Sequence, residues 1–126
     1  MSNFSPKAIA AGALVFVVLF TVVFFATNLL SSSLAAPVIF SLWALAWIAP
    51  GYATAYFSAT DHLLNSATAG ALVGAISGAA VLMAIDIPIN LPVTKPMLFL
   101  GCTGGAAISF GLGGVLWTLL SRPRVA

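Results

Sequence analysis

Gly70-Ala71-Leu72-Val73-Gly74-Ala75-Ile76-Ser77-Gly78 sets three glycines four residues apart inside a long apolar run. In an α-helix, residues at i and i+4 lie one above the other on the same face, so this spacing makes a smooth ridge with no side chains. In lipid such a ridge lets two helix backbones approach closely, because apolar side chains gain nothing there by leaving their solvent. A second row, Gly101, Gly105, Ser109 and Gly113, repeats the spacing further along the chain. The two rows point to helices that pack through small residues inside a membrane.

The composition says the same. Of 126 residues, 62% are hydrophobic and 5% charged, and the mean hydropathy is +1.18. A water-soluble domain carries about 25% charged residues. The formal charge of +2 rests on Lys7, Lys95, Arg122 and Arg124, too few and too scattered for a nucleic-acid interface. Cys102 is the only cysteine, so no internal disulfide forms.

Four apolar runs follow one another. The first, Ala8 to Leu30, is long enough as a helix, at roughly 34 Å, to cross a bilayer core. Lys7 and the small-residue stretch Ser33-Leu34-Ala35 are compatible with a signal peptide. Signal-peptide apolar regions are only about 7–15 residues long, so a retained helix is expected. Its centre is apolar all round, which places it at the edge of a bundle. The second run, Pro37 to Ser58, has Pro37 at a position that starts helices well. Pro50 and Gly51 lie inside it, and a kink is expected there because proline cannot donate to the carbonyl four residues back. Trp43 and Trp47 read as packing or lipid-facing residues, and Tyr56 as an anchor at the membrane interface.

Thr60-Asp61-His62 is a short polar turn, with Thr60 or Asp61 as a cap for the third run, Leu63 to Ile85. His62 reads as a solvated loop residue. On the third helix, Leu72, Ile76 and Met83 lie opposite the ridge formed by Ser66, Gly70, Gly74 and Gly78. Residues 86–96 carry Pro88, Pro92 and Pro96, which favour an extended segment lying on the bilayer surface or docked on a partner. The fourth run is Met97 to Leu120. One small face, Gly101, Gly105, Ser109 and Gly113, is expected against the third helix. A second small face, Gly104, Ala107, Gly111 and Gly114, is expected against another internal helix, a second protomer or another membrane subunit. Phe99, Phe110 and Trp117 are expected to face lipid.

The fold class read from this pattern is all-α, a four-helix transmembrane bundle with approximate helices 8–30, 37–58, 63–85 and 97–120. Both termini share a side with Lys7, Arg122 and Arg124, and Lys95 stands alone on the other. The positive-inside rule therefore favours N-in and C-in. No run contains an Asp, Glu, Lys, Arg or His, the residues that mark intramembrane chemistry. No metal-ligand spacing is present, and neither Cys102 nor Ser109 has a base at a recognisable spacing. No catalytic residue, cofactor or metal is expected.

Gly51-Tyr52-Ala53-Thr54-Ala55-Tyr56, a short turn, then Gly70-Ala71-Leu72-Val73-Gly74 resembles small uncharacterised four-span bacterial membrane proteins over the middle third of the chain. That resemblance implies a bacterial inner membrane and no assigned activity. Leu100-Gly101-Cys102-Thr103-Gly104-Gly105 is also similar to a glycine-rich segment of the dual-topology fluoride channels. The chain departs from them in lacking the polar run after the glycines and a mid-membrane Asn, and its charge bias favours a single orientation. The function expected is that of a non-enzymatic assembly component, self-associating or joined to other membrane subunits. The alternative is a small passive channel with Thr54, Thr103 and Ser109 as polar wall groups.

Overall fold

The computed structural model describes residues 4–30, 32–84 and 94–121, which form four α-helices: α1 (Pro6–Leu30), α2 (Ala36–Phe57), α3 (His62–Ala84) and α4 (Lys95–Leu120). Each is long and apolar enough to span a membrane. Most of the proline-rich stretch, residues 86–93, and both C-terminal arginines lie outside the described residues.

Local chemistry explains the helix ends. The Ser5 hydroxyl accepts the Ala8 N–H at 3.4 Å, and Pro6 opens α1 with its φ already set for a helix. Thr94 does the same for α4, accepting from Met97 N–H at 3.4 Å, with Pro96 in the first turn. That cap starts α4 at Lys95, two residues before the apolar run begins. α2 continues unbroken through Pro50.

The helices alternate in direction and stand around the bundle in the order α1, α2, α4, α3. α2 and α3 also meet across the centre, whereas α1 and α4 do not approach each other at backbone level. The core is small and aromatic: Phe16, Ala69, Val73 and Phe110, with Ile9, Ala13 and Trp47 packed around it. The Phe16 ring lies 4.8 Å from Trp47 and 5.8 Å from Phe110, centroid to centroid. Phe110 is 0% exposed, so its assignment to the lipid is corrected. It sits where three helices converge, and a helical wheel of α4 alone does not show those neighbours. α1 buries only Ala8, Gly12, Phe16, Val23 and Thr27, and Leu72, Ile76 and Met83 are exposed on the outside of α3.

The turn between α2 and α3 is tied by a buried residue, Asn65. Its side-chain oxygen accepts the Ser5 N–H at 2.8 Å, and its amide donates to the carbonyls of Thr60 at 3.0 Å and Asp61 at 3.2 Å. Asp61 adopts a left-handed φ of 50° just before the helix, and its carbonyl also accepts the Asn65 N–H at 3.0 Å. The side chain that secures this turn is therefore Asn65, in place of a Thr60 or Asp61 cap. His62 is half-buried, not a free loop residue. Its Nδ1 lies 2.9 Å from the Ala55 carbonyl, which can only accept, so Nδ1 carries the hydrogen.

Asn65→Ala removes the hydrogen bonds to the Ser5 N–H and to the carbonyls of Thr60 and Asp61. It should lower stability to unfolding in mild detergent by about 1–3 kcal/mol. Asn28→Ala, which removes one exposed bond to the Phe24 carbonyl, should change it by less than about 0.5 kcal/mol. Denaturation of both variants by increasing SDS checks this contrast.

Candidate functional site

The glycines divide into those consumed by close helix contacts and those left open. A Cβ added at Gly74 would stand 2.7 Å from the Ala106 Cβ and 2.8 Å from the Thr103 Cα. One at Gly70 would meet the Ala106 carbonyl oxygen and, at 2.8 Å, the Phe110 Cβ. At Gly78 the fit is looser, with the Cys102 Cβ at 3.1 Å. The α3 row therefore lies against Phe99, Cys102, Thr103, Ala106 and Phe110 of α4. Ser66 extends that row and donates to the Gly51 carbonyl at 2.8 Å, joining α3 to α2.

Pro50 to Thr54 is the second meeting place. A Cβ at Gly51 would collide with the Phe110 carbonyl and stand 2.6 Å from its Cα. One at Gly113 would meet the Ile48 carbonyl and, at 2.5 Å, the Tyr52 nitrogen. On α1, a Cβ at Gly12 would run into the Thr54 hydroxyl and stand 3.0 Å from the Pro50 carbonyl. Thr54 turns that hydroxyl onto the same Pro50 carbonyl, at 2.9 Å. One short segment of α2 thus receives α1, α3 and α4.

The two small faces read on α4 are split by this geometry. Gly113, from the first face, packs on α2. Gly114, from the second, lies against the Ser66 side chain, 2.7 Å from its hydroxyl oxygen to an added Cβ. Gly111 is buried beside Leu63, and Ala107 is half-buried. Gly101, Gly104 and Gly105 are different: an added Cβ at any of them would meet no atom within 4 Å. They are exposed and flanked by the exposed Leu100, Ile108 and Leu112. The contact line between antiparallel helices cuts obliquely across the i, i+4 rows, which separates residues that a wheel groups together.

Beside this open face lies a cavity of about 580 Å³. Its walls come from Phe16 and Phe20 of α1, Ser77 and Val81 of α3, and Cys102 and Gly105 of α4, with Trp47 as the sole contribution from α2. It occupies the gap between α1 and α4, on the side of the core nearer Lys95. Two of its hydroxyls are used locally, Thr21 on the Val17 carbonyl at 2.7 Å and Ser109 on the Gly105 carbonyl at 2.9 Å. The lining is mostly apolar, with the Ser77 hydroxyl also on its wall. The three hydroxyls expected along a polar path do not share one: Thr54 is buried under α1, Thr103 bonds the Phe99 carbonyl at 2.9 Å, and Ser109 faces the cavity.

A second cluster lies toward the other end. Trp117 meets Tyr52 at 5.4 Å and Tyr56 at 5.2 Å, both edge to face, and His62 at 6.4 Å. Its buried indole N–H has no partner among the described residues. Three or more His, Cys, Asp or Glu side chains do not gather anywhere among the described residues. Sequence reasoning passed over Phe16 and Asn65 and placed Phe110 in the lipid. The one signal for the α1 contact was Gly12, a lone glycine ahead of an otherwise bulky run. The chain matches no protein-family model, and no curated protein or solved structure matches it.

The division of glycines is testable. Gly51→Ala forces a methyl group onto the Phe110 backbone and should destabilise the protein by about 3 kcal/mol or more. Gly104→Ala adds the same methyl group to open space and should change stability by less than about 1 kcal/mol. Thermal unfolding of the two variants in the same detergent separates the two kinds of glycine.

Proposed function

We propose that this chain is a non-enzymatic, multi-pass membrane protein that serves as an assembly component, associating with itself or with other membrane subunits through the outer face of α4. The observation that carries the reading is the open row Gly101, Gly104 and Gly105. The remaining glycines sit within 4 Å of another part of the chain once a Cβ is added, while these three present bare backbone outward, flanked by Leu100, Ile108 and Leu112. A second helix can reach such a surface at backbone distance, the arrangement that favours helix association in lipid. The same principle, applied within the chain, makes the Gly70, Gly74 and Gly78 row the device that holds α3 to α4.

In this reading the chain is oriented N-in and C-in by Lys7, Arg122 and Arg124, and resides in a bacterial inner membrane. Its surroundings are the bilayer and its protein partners. It needs no cofactor, and the absence of ionisable residues in the spans supports a role without chemistry.

Native mass in lipid nanodiscs, with any co-purifying proteins identified, is the test. The wild type should run as a defined oligomer or with a fixed set of foreign subunits. Gly104→Leu should reduce it to a single copy while leaving its helical content unchanged. A wild type that is a lone copy, with the same mass as Gly104→Leu, sinks the proposal.

A further inference from the structure

The cavity between α1 and α4 shares Gly101 and Gly105 with the open face of α4 and carries a second inference. Its volume of about 580 Å³ falls in the range of small-molecule sites, about 300–1,000 Å³, which in helical bundles lie between helices. Its rim residues Val17, Thr21, Gly101 and Gly105 are exposed, so it opens sideways into the bilayer. Water does not fill a space of this kind, since apolar cavities stay dry, and an unfilled void loses the dispersion contacts of its walls. An apolar space that opens on its lipid side suits a hydrocarbon chain.

Depth and charge identify what kind of chain. From Gly101 to Ser109 the cavity runs about 12 Å along α4, within the roughly 15 Å that one leaflet's hydrocarbon spans. Lys95 lies seven residues before Cys102 and eleven before Ala106, on the same stripe of α4 as these two wall residues. It is exposed at the first turn of α4, about 9 Å above Gly101. At that point the helix also presents its positive dipole end. A cation above an apolar slot of one-leaflet depth matches a molecule with an anionic head and an acyl tail. We propose that the cavity is a binding site for one acyl chain of an anionic phospholipid, drawn from the leaflet on the Lys95 side, with its phosphate near Lys95.

Trp47 is the tryptophan on the cavity wall, so Trp43→Phe/Trp117→Phe leaves it as the only indole and a direct reporter. Brominated acyl chains quench tryptophan on contact. In phosphatidylcholine vesicles, trace brominated phosphatidylglycerol should quench Trp47 about fivefold more effectively than trace brominated phosphatidylcholine, the preference expected from one lysine near the surface. Lys95→Gln should erase that preference. Gly105→Leu, which fills the cavity, should lower quenching by both lipids, and Gly104→Leu, outside it, should leave quenching unchanged even where it abolishes assembly. Equal quenching by the two lipids in the parent protein overturns the proposal, as does quenching indifferent to Gly105→Leu. A Trp47 shielded from both lipids, with Cys102 of two copies readily oxidised to a disulfide, also overturns it and makes the occupant a second copy. If Gly105→Leu does not fold, the Lys95→Gln comparison alone decides.

Discussion

Helices in lipid gain little by hiding apolar side chains from a solvent that is itself apolar, so what holds them must be contact at short range. In this protein that constraint is met at Pro50 to Thr54. Gly51 offers its bare backbone to Phe110, Gly113 comes down on Ile48 and Tyr52, Gly12 rests over Pro50 and Thr54, and Ser66 bonds the Gly51 carbonyl. Proline suits such a place, because its missing N–H is no loss where the backbone is already committed to neighbours. The rest of the bundle radiates from this junction. α3 and α4 continue along the Gly70–Gly78 row, while α1 leans on α2 and reaches α4 through the Phe16 ring against Phe110.

Polar groups follow the same economy. Most hydroxyls in the spans bond a carbonyl of their own helix, as Thr21, Thr27, Thr54 and Ser109 do. Such bonds silence a polar group in lipid without holding two helices together. Ser66, Asn65 and His62 bond outside their own helix, and all three lie near the α2–α3 turn. Among the described residues, side-chain hydrogen bonds between elements are thus gathered at one end of the molecule, and the cavity lies toward the other.

Four apolar runs with polar breaks make four membrane-long helices readable from the sequence, since length and hydropathy decide that question almost alone. The site was less legible. A small residue has two meanings, a close approach or an empty place, and the letter is the same. Gly74 and Gly105 look alike in sequence, each within a row at four-residue spacing, yet one is pressed against Ala106 and the other faces open space. Phe110 shows the converse: a bulky aromatic on an apolar helix reads as lipid-facing until the helices that enclose it are in place. Asn65 was hidden because these partners are backbone atoms, at the turn and sixty residues away at Ser5, and backbone partners leave no pattern in the sequence.

The Asn65–Ser5 bond has a bearing on how the molecule is made. The Ser5 amide finds its acceptor only after sixty further residues have been synthesised. While the ribosome is still producing α3, the first hairpin of α1 and α2 has every contact of its own, centred on Gly12 and Thr54, but its leading end is untied. The bond that closes that end is also the one that sets the turn into α3, so the start of the chain is secured by the arrival of its second half. One side chain thus fixes both the entry to α1 and the turn into α3.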